Sequence, residues 1–241
     1  MIPDGTVSHD VTLIACGVFL WDYGMTLWFE FDFMRAKVKL RWPLIPYFLT
    51  RYLALGFAIG CLLFSVSRQP LNCDALYAGG NFLGKAAVAS ASVNLLVRAV
   101  TIWLFQWYIV LLLGVLVTGE IVLVGIGLWQ RGFFATWSNE LQSCVGSAGS
   151  QKKDLGVFAP YALCVDCIIV ILTIIGLRNS NRKSGLAAVV LHQGLGFFFL
   201  VLFFQTFVTA VVFTPNNEVL VSIASVLCAM IVYDLVPIFP P

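Results

Sequence analysis

Ionisable side chains stand inside long apolar runs, where a charge is costly and is usually paired or functional. Such groups can neutralise one another, hold a ligand or pass a proton along a pathway. Together with one amide, they predict an intramembrane polar core. Its candidate residues are Asp22, Arg51, Asn94, Arg98, Glu120, Asp166 and His192.

Asp22 and Arg51 are expected to pair between neighbouring helices. Counted along their apolar runs at about 1.5 Å per residue, the two side chains reach matching heights in the membrane. A helix bundle must neutralise its buried charges whatever its function. We therefore interpret this pair as structural.

The third apolar run contains "GKAAVASASVNLLVRAV" and is predicted to be the central helix. Small and polar residues recur in it at steps of four, which places them on one face: Ala86, Ser90, Asn94 and Arg98. Arg98 is expected to meet the carboxylate of Asp22 or of Asp166. Two interpretations stay open: a polar staple in the core, or a switch or cavity floor whose ion pair breaks on activation.

Other polar and small residues carry weaker signals. Glu120 and His192 have no obvious partner, and His192 lies close enough to the end of its run to reach the interface. Gly56 and Gly60 form a Gly-x-x-x-Gly pattern. We expect that pattern to serve packing inside the protein, in preference to dimerisation.

No catalytic motif accompanies these residues. The sequence lacks His-Glu-x-x-His, Gly-x-Ser-x-Gly and a nucleotide-binding loop, and it has only 2 His. We therefore predict neither an enzyme nor a metal or other cofactor. A retinal Schiff base is excluded because no lysine follows Lys183. The pair Cys164 and Cys167 has redox spacing, but that chemistry needs an accessible thiolate at a helix start.

The elements that position these residues are apolar. The 241 residues are 60% hydrophobic and 11% charged, whereas a soluble domain is about 25% charged. The sequence therefore predicts a multi-pass membrane protein in contact with the lipid bilayer. Its net charge of +2 comes from basic residues between apolar runs, so we expect no nucleic-acid partner.

The predicted fold is all-α, an integral membrane bundle of seven transmembrane helices. Each run is long enough for a membrane helix, which needs about 20 apolar residues. The chain leaves little room for anything else, so residues 1–241 are taken as a single transmembrane domain. The predicted spans are 11–29, 44–66, 80–105, 107–129, 159–177, 186–213 and 219–238.

Basic residues predict the orientation and a partner surface. They concentrate between the first and second spans and between the fifth and sixth. The positive-inside rule then places the N-terminus outside and the C-terminus in the cytoplasm. A cytoplasmic signalling partner is expected to contact these residues: Arg35, Lys37, Lys39, Arg41, Arg178, Arg182 and Lys183.

Two cysteines, Cys73 and Cys144, fall in segments predicted to lie outside, where disulfides persist. We expect them to form a disulfide that ties the outer end of the third span to the long loop 130–158. Part of that loop, "SCVGSAGSQKKD", is predicted to be flexible from its composition.

The stretch "WDYGMTLWFEFDFMRAKVKLRWPLIPYFLTRYLAL" resembles the N-terminal region of a basidiomycete fungal family of multi-pass membrane proteins of unknown function. The matching residues are Trp21-Asp22-Tyr23, Glu30, Arg41-Trp42 and Thr50-Arg51-Tyr52-Leu53, with Thr50 in place of the family's Asn. Later segments, including "SVNLLVRAVTIWLFQWYIV" and "VDCIIVILTIIGL", are also similar. The family usually continues into a basic cytoplasmic tail, whereas this sequence ends "VYDLVPIFPP", so the resemblance does not extend to a signalling tail.

The resemblance implies about seven helices in a receptor-like topology. We therefore expect a receptor-like sensor of a small-molecule ligand, in the plasma membrane in preference to an endomembrane. Two alternatives remain open: a transporter or channel for a small solute, and a structural membrane partner protein without a ligand.

Overall fold

The structure is a computed structural model that describes residues 4–35, 44–66, 72–129, 135–138, 143–146, 148–179, 199, 201–211 and 213. The described part is mainly helical, with one short β-hairpin. Its elements in chain order are α1 (Asp4–Arg35), α2 (Leu44–Val66), α3 (Cys73–Ile102), α4 (Trp107–Trp129), β1 (Ala135–Ser138), β2 (Ser143–Gly146), α5 (Ala148–Asn179) and the shorter α6 (Val201–Val211).

Helices α1 to α5 are each long and apolar enough to cross a membrane. Their candidate spanning segments are Asp10–Trp28, Ile45–Val66, Cys73–Ile102, Trp107–Gly127 and Gly156–Gly176. These five segments overlap the first five predicted spans, although the third begins at Cys73 instead of residue 80. The predicted sixth span is described only over α6 and at residues 199 and 213, and the predicted seventh lies outside the described residues. The total of seven helices and the orientation stay predictions.

Helix α3 is the central element, as its polar and small residues predict. It packs against α2, α4 and α5 and also contacts both strands of the hairpin. Both glycines of the Gly-x-x-x-Gly pattern on α2 face α3: a Cβ at Gly56 would lie 3.4 Å from Cδ1 of Leu83, and one at Gly60 would lie 3.9 Å from Cα of Gly80. The pattern is therefore used in packing inside the protein.

Three helices begin earlier than the predicted spans. Helix α1 starts at Asp4 instead of residue 11, α3 at Cys73 instead of residue 80, and α5 at Ala148 instead of residue 159. Nucleation is the costly step of helix formation, so a helix already held in the bundle extends into polar sequence at little cost. The prediction of a flexible loop for "SCVGSAGSQKKD" was wrong, because strand β2 and the first turns of α5 occupy most of it.

The connection between α3 and α4 is very short, as predicted. Helix α3 ends at Ile102 rather than at residue 105, and Leu104 and Phe105 adopt left-handed backbone angles with φ of 51° and 58°. The amide of Phe105 donates to the carbonyl of Val100 at 3.1 Å. The chain thus reverses direction using two bulky residues in a conformation that favours glycine.

A disulfide anchors the start of α3. Cys73, the first residue of α3, is bonded to Cys144 in β2, the pairing expected from the sequence. Strand β2 pairs antiparallel with β1, so the hairpin is tied to α3. Asn72 caps the same helix end, with its side chain accepting from the amide of Ala75 at 3.3 Å. Capping and the disulfide together fix where α3 begins.

Apolar side chains cover the outer faces of the helices. On α1 the exposed large residues recur at alternating steps of four and three, which is the repeat of one helix face. They are Ile14, Val18, Trp21, Met25 and Trp28, and the exposed Phe31 follows three residues after Trp28. An apolar face of this kind suits a lipid bilayer, so the fold belongs to a multi-pass membrane protein.

Candidate functional site: the polar core around α3

The most deeply buried polar cluster joins three helices. Ser92 on α3, Glu120 on α4 and Asp166 on α5 are 1%, 0% and 3% exposed. The Ser92 hydroxyl lies 3.0 Å from Oδ1 of Asp166 and 3.4 Å from Oε1 of Glu120. We call Ser92, Glu120 and Asp166 the carboxylate cluster. It holds two of the predicted core residues in one place.

Two close contacts hold the helices that carry the cluster. The Tyr161 hydroxyl on α5 donates to the carbonyl of Leu116 on α4 at 2.9 Å, and it lies directly over Gly119, the neighbour of Glu120. The Trp103 indole donates to the carbonyl of Leu172 on α5 at 3.0 Å. Each contact fixes α5 against a neighbour, so the positions of the two carboxylates are set by packing as well as by sequence.

A second polar contact joins α3 to α2. The side-chain amide of Asn94 donates to the hydroxyl of Thr50 at 3.0 Å, and Thr50 itself donates to the carbonyl of Pro46 at 2.8 Å. Thr50 is 1% exposed, so this hydrogen bond lies inside the bundle. Asn94 therefore bonds across a helix contact, as small and polar residues do in membrane proteins.

Arg51 joins α2 to α1, although not through the predicted partner. Its guanidinium donates to the hydroxyl of Thr26 at 2.6 Å and to the carbonyl of Tyr23 at 3.2 Å. The Tyr23 ring lies 4.6 Å below it, within the range of a cation–π contact. These contacts lie within about a turn of Asp22 on α1. Arg51 thus lies close to the level of Asp22 in the membrane, as predicted. Its described contacts, however, are to neutral groups.

The expected ion pair of Arg98 is not seen in the described part of the chain. Asp166 accepts a hydrogen bond from Ser92 instead, and no acceptor among the described residues holds the guanidinium of Arg98. Arg98 is half-buried, so its long side chain can reach towards the membrane interface while its stem stays in the bundle. The polar contacts between α3 and its neighbouring helices are made by Ser92 and Asn94.

Several predicted residues fall outside the description. His192 and the basic residues Lys37, Lys39, Arg41, Arg182 and Lys183 lie outside the described residues. Of the predicted partner surface, Arg35 and Arg178 are described, and both are exposed in the last turns of α1 and α5. Odd-numbered helices of an up-and-down bundle run in the same direction, so these two ends belong to one side of such a bundle.

Sequence reasoning missed Ser92, the residue that connects the two carboxylates. The stripe at steps of four selected Ser90, whose hydroxyl donates to its own helix at the carbonyl of Ala87. A signal for Ser92 existed: it follows Lys85 by seven residues and precedes Ala99 by seven. All three are buried on α3. Two helix turns separate such residues, so they share one face.

No family model, curated protein or solved structure matches this chain. The chemistry of the site therefore follows from its own atoms. Within the residues that the structure describes, no group of three or more His, Cys, Asp or Glu could hold a metal ion. Cys164 and Cys167 are free thiols in the middle of α5, away from a helix start. What the polar core offers is oxygen acceptors shared among packed helices.

Proposed function

We propose that this multi-pass membrane protein is a receptor-like sensor of a small ligand, with seven helices and an outer N-terminus. One observation carries the proposal: a single helix, α3, makes polar contacts with α2 through Asn94 and with α4 and α5 through Ser92. A ligand that shifted α3 would change contacts on three helices at once. Small movements become large rearrangements where packed helices have two alternative arrangements, and the sensor proposal requires α3 to have them.

The disulfide between Cys73 and Cys144 supports the proposed orientation, because disulfides form in oxidising compartments outside the cytoplasm. The start of α3 would then face outwards, in the plasma membrane. Arg35 and Arg178 would face the cytoplasm at the opposite helix ends and contribute to a signalling surface. The resemblance to the basidiomycete family supports the same receptor-like topology.

A small-solute transporter is the second candidate, and the carboxylate cluster favours it. Acidic residues inside a bundle mark ion and substrate pathways in many transport proteins. Pro160 stands inside α5, where it removes one backbone hydrogen bond, although α5 stays continuous over Ala148–Asn179. The transporter candidate therefore depends on the carboxylate cluster and not on a broken helix of the kind found in several transporter folds.

The two functions are distinguished by one protocol. The purified protein in lipid nanodiscs is screened by thermal shift against a library of small neutral and amphiphilic compounds. Each compound that raises the unfolding midpoint is then tested for uptake into proteoliposomes. The Asn94→Ala variant tests the role of α3, and Thr118→Ala, on the exposed face of α4, is the matched control.

A compound that stabilises the parent and the control, loses its effect in Asn94→Ala and is not taken up supports a sensor. Protein-dependent uptake of the same compound supports the transporter. If no compound in the library shifts the midpoint and none is taken up, the sensor proposal fails. A structural partner protein without a ligand would then be the better description.

A further inference from the structure

The carboxylate cluster contains more hydrogen-bond acceptors than donors. The Ser92 hydroxyl has one hydrogen, but three oxygens lie within reach: Oδ1 of Asp166 at 3.0 Å, and Oε1 of Glu120 and the carbonyl of Val88 at 3.4 Å. The short contact to Asp166 takes that hydrogen, because a hydroxyl donates a full hydrogen bond only once. Glu120 is then left without a described donor.

The second carboxylate oxygen of Glu120 also lacks a described hydrogen-bond donor. Oε2 is buried and has no hydrogen-bond partner among the residues that the structure describes. A buried polar atom without a partner is rare in native structures and needs an explanation, of which a bound water or ion is one. Because Glu120 is fully buried in the bundle, its unpaired oxygen points to a positively charged or hydrogen-donating group beside it.

No basic side chain of the described part supplies that charge. The ammonium of Lys85 lies over the ring of Phe158, 5.6 Å from its centroid. Lys85 precedes Ser92 by seven residues, a rise of about 10 Å along α3. Neither carboxylate forms an ion pair with a described lysine or arginine. Two acidic groups therefore share an apolar region, where isolated ions are strongly disfavoured.

We propose that Glu120, Asp166 and Ser92 bind a small, hard metal cation. The ligand atoms of all three side chains are oxygens, which are the ligands that such cations select. Metal–oxygen bonds of about 2.1–2.6 Å place neighbouring octahedral ligands about 3.0–3.7 Å apart. Among the proposed ligands, the Ser92 hydroxyl lies 3.0 Å from Oδ1 of Asp166 and 3.4 Å from Oε1 of Glu120, and both distances fit that spacing.

This inference stands on the geometry of the cluster and does not depend on the proposed function. A bound cation would connect α3, α4 and α5, since each helix contributes one ligand side chain. In a sensor it would stabilise one arrangement of these helices. In a transporter it would be the coupling ion, and polar intramembrane sites of that kind lie between helices.

The test measures the thermal unfolding midpoint of the purified full-length chain in nanodiscs at pH 7.5. Choline chloride is replaced stepwise by NaCl at constant ionic strength, and low millimolar CaCl₂ and MgCl₂ are tested separately. We expect at least one of Na⁺, Ca²⁺ and Mg²⁺ to raise the midpoint with saturation, as mass action requires for a ligand that binds the folded state. The three arms identify which cation the site takes.

Variants then locate the effect. Glu120→Gln and Asp166→Asn each keep the side-chain shape and are expected to abolish the cation-dependent shift. Ser92→Ala removes one neutral ligand and is expected to raise the half-saturating concentration at least about tenfold, since removing even an outer-shell partner of a metal ligand costs about 10–100-fold. Asp74→Asn makes the same change at an exposed position in the first turn of α3 and is expected to keep the parent's response.

The proposal is overturned if none of the three cations shifts the midpoint of the parent, or if the shift survives in both Glu120→Gln and Asp166→Asn. It is also overturned if acidification to pH 5 stabilises the parent while metal cations have no effect, since the cluster then binds protons only. If one amide variant does not fold, the titration of the parent and of Ser92→Ala still decides between these outcomes.

Discussion

Gly176 on α5 is the position where adding a single methyl group should harm the bundle most directly. A Cβ at this residue would lie 2.8 Å from Nε1 of Trp103 and 2.9 Å from Cγ2 of Ile102. Real Cβ atoms do not come so close to other heavy atoms. The indole cannot simply rotate away, because it donates to the carbonyl of Leu172 on the same helix at 3.0 Å. Gly176→Ala therefore overpacks the contact between α3 and α5 and displaces the indole from that hydrogen bond.

The size of the effect follows from three contributions. Overpacking a well-packed site costs about 1–3 kcal/mol, and losing the indole hydrogen bond costs about 1 kcal/mol. Replacing glycine by alanine inside a helix stabilises the folded state by about 0.5–1 kcal/mol. The free energy of unfolding should therefore fall by about 2 kcal/mol, because the first two contributions exceed the third.

Gly156 provides the matched control on the same helix, since a Cβ there would meet nothing within 4 Å. Gly156→Ala should be neutral or stabilising by up to about 1 kcal/mol. Both variants are compared with the parent by SDS-induced unfolding in mixed micelles, followed by tryptophan fluorescence and circular dichroism. If Gly176→Ala is as stable as Gly156→Ala, the close approach of α3 and α5 is wrong.

Three further changes test other contacts. Cys144→Ser removes the disulfide that closes a loop with a sequence separation of 71 residues. It should lower the free energy of unfolding by up to about 4 kcal/mol. Cys164→Ser is the control, and equal unfolding midpoints for the two variants would contradict a stabilising role of the disulfide. A double-mutant cycle of Asn94→Ala and Thr50→Ala should give a coupling energy of about 0.6–1.7 kcal/mol in micelles, as for other interhelical hydrogen bonds. If the two substitutions lower the free energy of unfolding additively, the hydrogen bond contributes nothing to stability. Phe105→Gly should raise the thermal unfolding midpoint, because glycine adopts the left-handed conformation without the cost of about 1 kcal/mol that a larger residue carries. A lower midpoint would show that the contacts of the Phe105 ring contribute more than this cost.

The membrane-spanning elements were predictable because their signal is local. Runs such as those of α2 and α4 carry enough apolar residues to be recognised without knowing their neighbours, and their bounds, Leu44–Val66 and Trp107–Trp129, coincide with the predicted spans. Extensions of helices beyond the apolar run were missed, as at Ala148, since composition alone does not tell a polar helix end from a loop. The pairing of Cys73 with Cys144 was predictable because few cysteines lie outside the apolar runs.

The partners of the polar residues were not predictable to the same degree. Matching heights along two helices suggested charge pairs for Arg51 and Arg98, but height leaves the rotation of each helix undetermined. A rotation of about 100° separates consecutive residues of an α-helix. That angle decides whether Ser90 or Ser92 meets the carboxylates. Rotation is set by packing, here by close contacts at Gly119 and Gly176, which a single sequence does not reveal.

The bond between Cys73 and Cys144 also has a mechanical meaning. It turns α3, the tight turn, α4 and the hairpin into a closed loop, so a force applied to the two ends of the chain passes directly through the sulfur atoms. The loop spans a sequence separation of 71 residues, which corresponds to about 240 Å of extended chain at about 3.4 Å per residue. When the oxidised protein is pulled out of a bilayer, the loop should not extend, and α3 and α4 should leave the membrane in a single step. Adding a reductant should release the length and let the two helices leave one after the other.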